Sequence, residues 1–320
     1  MSAAQAWMRR LVRGWVRFWF EAPDTRALDL VRVGVGLTLL VSYGALLGHV
    51  DAFYTDQGWL PLAQTPQLQA EPTSLSLLFV FRSAAAAWVL WGITLLAAAA
   101  YAVGWRSNVV KFVLLAGHYS FTRRAPAVAY GVDDLCSNLL FIQCFLPMGH
   151  ALALDARRRA PLLLAPWRQT LRSMGLRLTQ VQMAIIMAFA GVEKLQGDDW
   201  WQGLGVWFAM TDWEFNFFPL QPFAAHPYLL DALGYGTLVF ELAYPALIWH
   251  RRSRGPILAL AVILHVGVAA VMGLWLFSAA MLVSHMAFAP PRWLAWLRVP
   301  ADTCAGKSRS AFSAATDTVR

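Results

Sequence analysis

Charge is scarce in this chain: Asp, Glu, Lys and Arg make up 14% of its 320 residues, against roughly a quarter in soluble domains. That excludes an ordinary water-soluble domain, and 58% hydrophobic residues with 16 tryptophans indicate a chain solvated by lipid. Cysteine is scarce too. Of the three, Cys136 and Cys144 share one apolar stretch and Cys304 lies in a polar tail, so neither a disulfide framework nor a CxxC zinc site is written here. The GxSxG, Walker, HExxH and Rossmann patterns are missing, and Gly34-x-Gly36 falls inside an apolar run, where it implies close helix packing. Neither a solenoid repeat nor a broken inverted repeat is visible, which disfavours a transporter. Lysine occurs only three times, as Lys111, Lys194 and Lys307.

What charge there is leans positive, with a net +8 and a pI near 9.8. The arginines gather in short clusters beside apolar runs, the pattern of cytoplasmic loops rather than of a nucleic-acid surface. The preference for Arg over Lys, with many Ala and Leu, fits a GC-rich bacterial genome. Residues 1–23 interleave Arg9, Arg10, Arg13 and Arg17 with Trp and Phe, which suits an amphipathic helix lying on anionic lipid; no h-region with a small-residue cleavage site follows.

Eight apolar runs then recur: Leu28 to Gly48, Ala84 to Gly104, Val109 to Phe121, Leu135 to Met148, Leu178 to Leu195, Tyr228 to Trp249, Ile257 to Phe277 and Ala279 to Ala289. A span needs about 20 apolar residues, so the three shorter runs are expected to extend into polar flanks or to pack as tilted or partial helices. The expected fold is an all-α, polytopic membrane protein of about eight segments over residues 24–290, with a polar tail at 291–320.

Loop charges give the orientation. With the N-terminus inside, the inner loops hold Arg106, then Arg157, Arg158, Arg159, Arg168, Arg172 and Arg177, then Arg251, Arg252 and Arg254; the tail adds Arg292, Arg298 and Lys307. The outer stretch from Gln196 to Pro227 has no Lys or Arg but carries Asp198, Asp199, Asp212 and Glu214. Only Arg123 and Arg124 fall on the wrong side. The positive-inside rule therefore places both termini in the cytoplasm of a cell-membrane protein.

Lys194 closes an apolar run near the outer end of its helix, with Trp200 and Trp201 following at the interface. An ammonium there is either a snorkelling anchor in an aromatic belt or a desolvated amine able to act as a general base; Asp198, at i+4, is a candidate partner. His265 lies deep in the seventh run, where a hydrogen-bonded core histidine competes with a catalytic one, and His285, twenty residues on, gives no metal-ligand spacing. No metal is expected. Glu241, midway along the sixth run, has no local basic partner and must find one on another helix or stay protonated. Asp29 and Arg32 are spaced to pair locally. Asp133 and Asp134 open the fourth run in the same membrane layer as Lys194, either as helix-start acids or as part of a polar site with it.

Several of these residues form a recognisable set. The run Ala190-Gly191-Val192-Glu193-Lys194-Leu195, with Gly197, Trp200, Trp201 and Gly203 after it, resembles the KLxGxxWxxG signature of the bacterial HTTM (horizontally transferred transmembrane) proteins, relatives of the vitamin K-dependent gamma-carboxylase. Glu241 with Pro245, the basic turn from Arg251 to Gly255, and His265 followed by Phe277-Ser278 are similar to a second stretch of that family. So are Asp24-Thr25-Arg26 with Leu30 and Arg32, and Leu146-Pro147-x-Gly149 before Asp155.

The resemblance covers roughly residues 24–290. It implies a reduced quinone as cofactor, Lys194 as the base that deprotonates it, His265 as a second catalytic residue, and Glu241 and Phe277 near the substrate; Asp133 and Asp134 join the expected substrate site through the membrane layer they share with Lys194. This sequence departs from the carboxylase at Asp133 and Asp134, where the latter has a histidine, and in ending soon after its last apolar run; carboxylation of protein glutamate is accordingly not expected. The alternative is a non-catalytic membrane module that binds a lipid, a quinone or a partner protein.

Overall fold

The computed structural model describes residues 3–22, 24–63, 75–158, 165–212 and 221–297; Glu214, Arg159, Arg298, Cys304, Lys307 and most of the 291–320 tail lie outside them. The described residues form helices joined by turns, with no strand among them. The main helices are α1 (Ala3–Phe20), α2 (Arg26–Ala45), α3 (Ala84–Val103), α4 (Ser107–Arg124), α5 (Gly131–Cys144), α6 (Pro166–Gln196), α7 (Pro227–Leu247), α8 (Arg254–Met272) and α9 (Trp275–His285).

A helix underlies each of the eight apolar runs, yet among the described residues only α2, α3, α6 and α8 are both long and apolar enough to cross a bilayer. The expected run from Ile257 to Phe277 is broken in two. Gly273 adopts a left-handed conformation (φ 69°) that caps α8 and sends its N–H back to Ala269 O, and α9 restarts at Trp275. Glycine is the residue that takes this conformation without steric cost. The run expected over Leu178 to Leu195 is instead the end of a 31-residue helix, about 46 Å long, so Arg168, Arg172 and Arg177 belong to α6 rather than to a loop.

The helices leave much of their apolar surface uncovered by one another. Leu96, Ile263, Val239 and Phe189, on α3, α8, α7 and α6, are each 65–71% exposed; apolar surface on this scale is stable only where another apolar phase covers it, and for long helices that phase is lipid. At the centre lies α2, packed on α3, α5, α6 and α9. Its glycines make this possible. A Cβ on Gly36 would stand 2.6 Å from the backbone nitrogen of Ala102 on α3, and one on Gly34 would collide with Val283 on α9.

A buried polar cluster ties one end of the bundle together. Arg172 donates to Asp29 Oδ2 at 2.6 Å with both side chains fully buried, and also to Thr25 Oγ1 (3.1 Å), Thr25 O (2.9 Å) and Pro147 O (3.0 Å). The local pair expected of Asp29 and Arg32 is loose, at 4.0 Å. Arg32 turns instead to backbone carbonyls of Tyr101, Ala102, Ala151 and Leu152. The Leu146-Pro147-x-Gly149 and Asp155 motif belongs to the same latch. Lys111 Nζ donates to Leu146 O at 2.5 Å, and Asp155 accepts the backbone N–H groups of Arg106 and Ser107 at 3.0 and 3.1 Å, satisfying the otherwise orphaned start of α4. Arg124, on the side the loop charges make acidic, is 2% exposed, bonds Leu60 O at 2.8 Å and lies 3.7 Å from Asp56. Its charge is spent on folding the loop after α2.

Candidate functional site at the Lys194 and Glu241 ion pair

Lys194 lies in the last turn of α6, where the helix carbonyls carry partial negative charge and favour a cation. Its Nζ is 3.0 Å from Glu241 Oε1 and 2.9 Å from Oε2, with a longer bond of 3.4 Å to Ala190 O. The Trp200 ring lies 5.1 Å away, within cation–π range. The lysine side chain is 21% exposed and that of Glu241 8%. Gly191 lies at this crossing: a Cβ there would stand 2.9 Å from Leu242 Cδ2 and 3.2 Å from its backbone nitrogen, so a side chain would press α6 and α7 apart where the two charges face each other.

Glu241 thus finds its partner on another helix, and Lys194 pairs with it rather than with the expected Asp198, which opens the short helix Asp198–Trp201 instead. Pro245 adds a second feature at Glu241. Lacking an N–H, it cannot donate to the Glu241 carbonyl four residues back.

One turn along α7 from Glu241, a second polar group crosses three helices. The Tyr244 hydroxyl is 2.7 Å from His285 Nδ1, and His285 Nε2 is 3.1 Å from His265 Nε2. Tyr244, His285 and His265 are 0%, 3% and 4% exposed. Because each imidazole has one donor and one acceptor nitrogen when neutral, the chain is tautomerically linked: a proton fixed at one ring sets the other. His265 Nδ1 and the Ser278 hydroxyl are buried without a hydrogen-bond partner among the described residues. Phe277 packs edge-on to His265, with centroids 6.2 Å apart, and its ring also blocks the space beside Gly131 at the start of α5.

The remaining expected site residues stand apart from the lysine. Asp133 accepts the Tyr130 N–H at 3.0 Å, the helix-start role, and its own carbonyl is 3.0 Å from His118 Nε2. Asp134 is exposed. Neither acid bonds Lys194, and His265 bonds neither Lys194 nor Glu241. The chain therefore holds two polar constellations that share α7, Lys194 with Glu241 and Tyr244 with His285 and His265.

Sequence reasoning missed Tyr244 and the meeting of His265 with His285. The available signal was weak: Glu241 and Tyr244 are three apart, hence neighbours on one helical face. It also missed Lys111, which at 4% exposure is more deeply buried than Lys194 and serves the latch.

Comparison with known proteins adds one finding. Neither a curated protein nor a solved structure is significantly similar to the chain. A family profile described as the HTTM domain matches residues 20–293, which takes in every helix from α2 to α9 and both polar constellations. The chain, with the long apolar helices of a membrane protein, belongs to the HTTM family.

Proposed function

We propose that this HTTM protein is a multi-pass cell-membrane enzyme that uses Lys194 as an acid–base group on a reduced quinone. The observation that carries the reading is the Lys194–Glu241 pair itself, a charged couple held in a mostly apolar setting by a glycine contact and a tryptophan ring. Both termini are cytoplasmic in this proposal, by the arginine asymmetry of the loops, which puts Lys194 near the outer face. The basic, Trp-rich α1 lies in the inner interface.

The local residues suit a quinol in two ways. Lys194 keeps about a fifth of its side-chain surface open, so Nζ can meet a phenolic oxygen while Glu241 and Trp200 hold it from other sides. The flat ring of Trp200, 5.1 Å from Nζ, provides the apolar surface an aromatic head group requires. When bound, a reduced quinone supplies an acidic O–H and two electrons for reaction with oxygen.

Each protein group then has a defined task. Glu241, at 2.9–3.0 Å, takes a proton from Nζ and leaves a neutral amine; that amine accepts the proton of the substrate O–H. The resulting ammonium stands where negative charge develops on oxygen. The linked Tyr244, His285 and His265 chain acts as a positioning device whose tautomers store or pass one proton.

A second reading rests on the same geometry. A lysine already held by a carboxylate and a tryptophan is also what a structural anchor looks like, and this supports a non-catalytic module binding a lipid, a quinone or a partner protein. Oxygen-dependent oxidation of reduced quinone by the purified protein, compared with Lys194→Ala, separates the two. Turnover in the wild type that falls at least a hundredfold in the variant is expected; a wild type without turnover, at saturating quinol, sinks the enzyme reading.

A further inference from the structure

The end of the bundle opposite Lys194 carries a separate feature. A groove of about 760 Å³ runs between the last turns of α1 and the first turns of α6, with Arg17, Phe18, Glu21, Gln169, Ser173 and Arg177 in its walls. Its depth in the membrane follows from helix geometry. The 21 residues from Ser173 to Lys194 rise about 31 Å at ~1.5 Å each, close to the ~30 Å thickness of the hydrocarbon core. With Lys194 at one interface, the groove lies at headgroup level in the other leaflet.

The groove is built rather than incidental. Arg177 Nε donates to Phe18 O at 2.8 Å and Nη1 to Gln180 Oε1 at 2.8 Å, and its guanidinium stacks 4.7 Å from the Phe18 ring. This fastens α1 to α6 and leaves Nη2 without a hydrogen bond among the described residues. Arg17, on the facing wall, is exposed and has no ion pair among the described residues. Nor have Arg9, Arg10 and Arg13 farther along α1, although Arg13 Nε bonds Arg9 O at 3.2 Å. Glu21 is the one acid of the groove wall and is exposed at its rim. The apolar faces of α1 stay uncovered, with Trp7 at 55%, Leu11 at 49% and Trp15 at 64% exposure.

We propose that this groove seats the headgroup of one anionic phospholipid, its phosphate between Arg17 and Arg177 and its acyl chains against the uncovered apolar residues of α1. A phosphodiester accepts the charge-assisted hydrogen bonds that the two guanidinium groups have left to give. The net negative charge that this phosphate leaves on an anionic headgroup answers the unpaired arginines of α1. A zwitterionic lipid offers the phosphate but sets an ammonium against the same arginines.

Native mass spectrometry of the full chain, released from micelles doped with either phosphatidylglycerol or phosphatidylcholine, tests this. Wild type is expected to retain one phosphatidylglycerol at least tenfold more than phosphatidylcholine. Arg17→Ala combined with Arg177→Gln should abolish the preference, whereas Arg9→Ala with Arg10→Ala should keep it. Because Arg177 also docks α1, Arg17→Ala alone, at an exposed side chain without partners, is read in parallel and should lower retention at least threefold. Equal retention of the two lipids overturns the proposal. So does an equal loss in the Arg9 and Arg10 variant, which would mean diffuse surface attraction, or displacement of the lipid by millimolar inorganic phosphate.

Discussion

At the scale of single residues, two ion pairs among the described residues close across the main helices, Lys194 with Glu241 and Arg172 with Asp29. The Lys194–Glu241 pair is partly open on its lysine side and Asp29 and Arg172 are sealed, and this difference sets what each can do: the sealed pair can only hold the fold, the open one can meet a ligand. Removing one member of the open pair, by Lys194→Met or Glu241→Gln, is expected to cost about 1–3 kcal/mol in reversible unfolding from detergent. The double variant should fall short of the sum by about 0.5–3 kcal/mol. Additive losses, within ~0.3 kcal/mol, would show that the two charges do not interact in the folded protein. The lysines also differ in access. Lys194 should react with an amine-directed reagent before Lys111, a residue 4% exposed whose ammonium is bound to Leu146 O; peptide mapping that found Lys111 modified first would contradict the geometry.

At the scale of helices, glycines decide which faces meet. Gly191→Leu is expected to push α6 from α7, cost about 1–3 kcal/mol by overpacking and loosen Lys194 from Glu241; a variant as stable as wild type in a thermal melt would show that the contact is slack. Much of this level is legible in the sequence. A helix underlies every expected apolar run, because a twenty-residue apolar stretch has few other ways to satisfy its backbone in lipid. Gly34 and Gly36 were readable as packing positions. The rest was hidden for physical reasons. The break at Gly273 depends on one left-handed residue inside an apolar stretch, and hydropathy is blind to it. Arg172 and Arg177 looked like loop arginines because their partners, Asp29, Thr25 and Phe18, lie about 150 residues away in the chain. The need of Glu241 for a cross-helix partner was visible, but its identity as Lys194 rather than any other cation was not, since only the α6–α7 contact at Gly191 creates it.

At the scale of the whole molecule, α6 connects two chemically distinct ends, a basic groove at Ser173 and an ion pair at Lys194, about 31 Å apart by helix rise. The arginine asymmetry predicts that the Lys194 end is external. Asp212→Cys, made with Cys304→Ser to clear the background while Cys136 and Cys144 remain buried, should be labelled by an impermeant maleimide on intact cells. Labelling only after permeabilisation would reverse the orientation. The central claim is that Lys194 moves a proton rather than merely anchoring a helix, and arginine separates the two roles: it keeps a charge for Glu241 and can snorkel, but it does not deprotonate in a protein. The most direct measurement is the rate of quinol oxidation by Lys194→Arg, normalised to folded protein: the account predicts a loss of at least a hundredfold with the fold intact, and full turnover in a folded Lys194→Arg would contradict it.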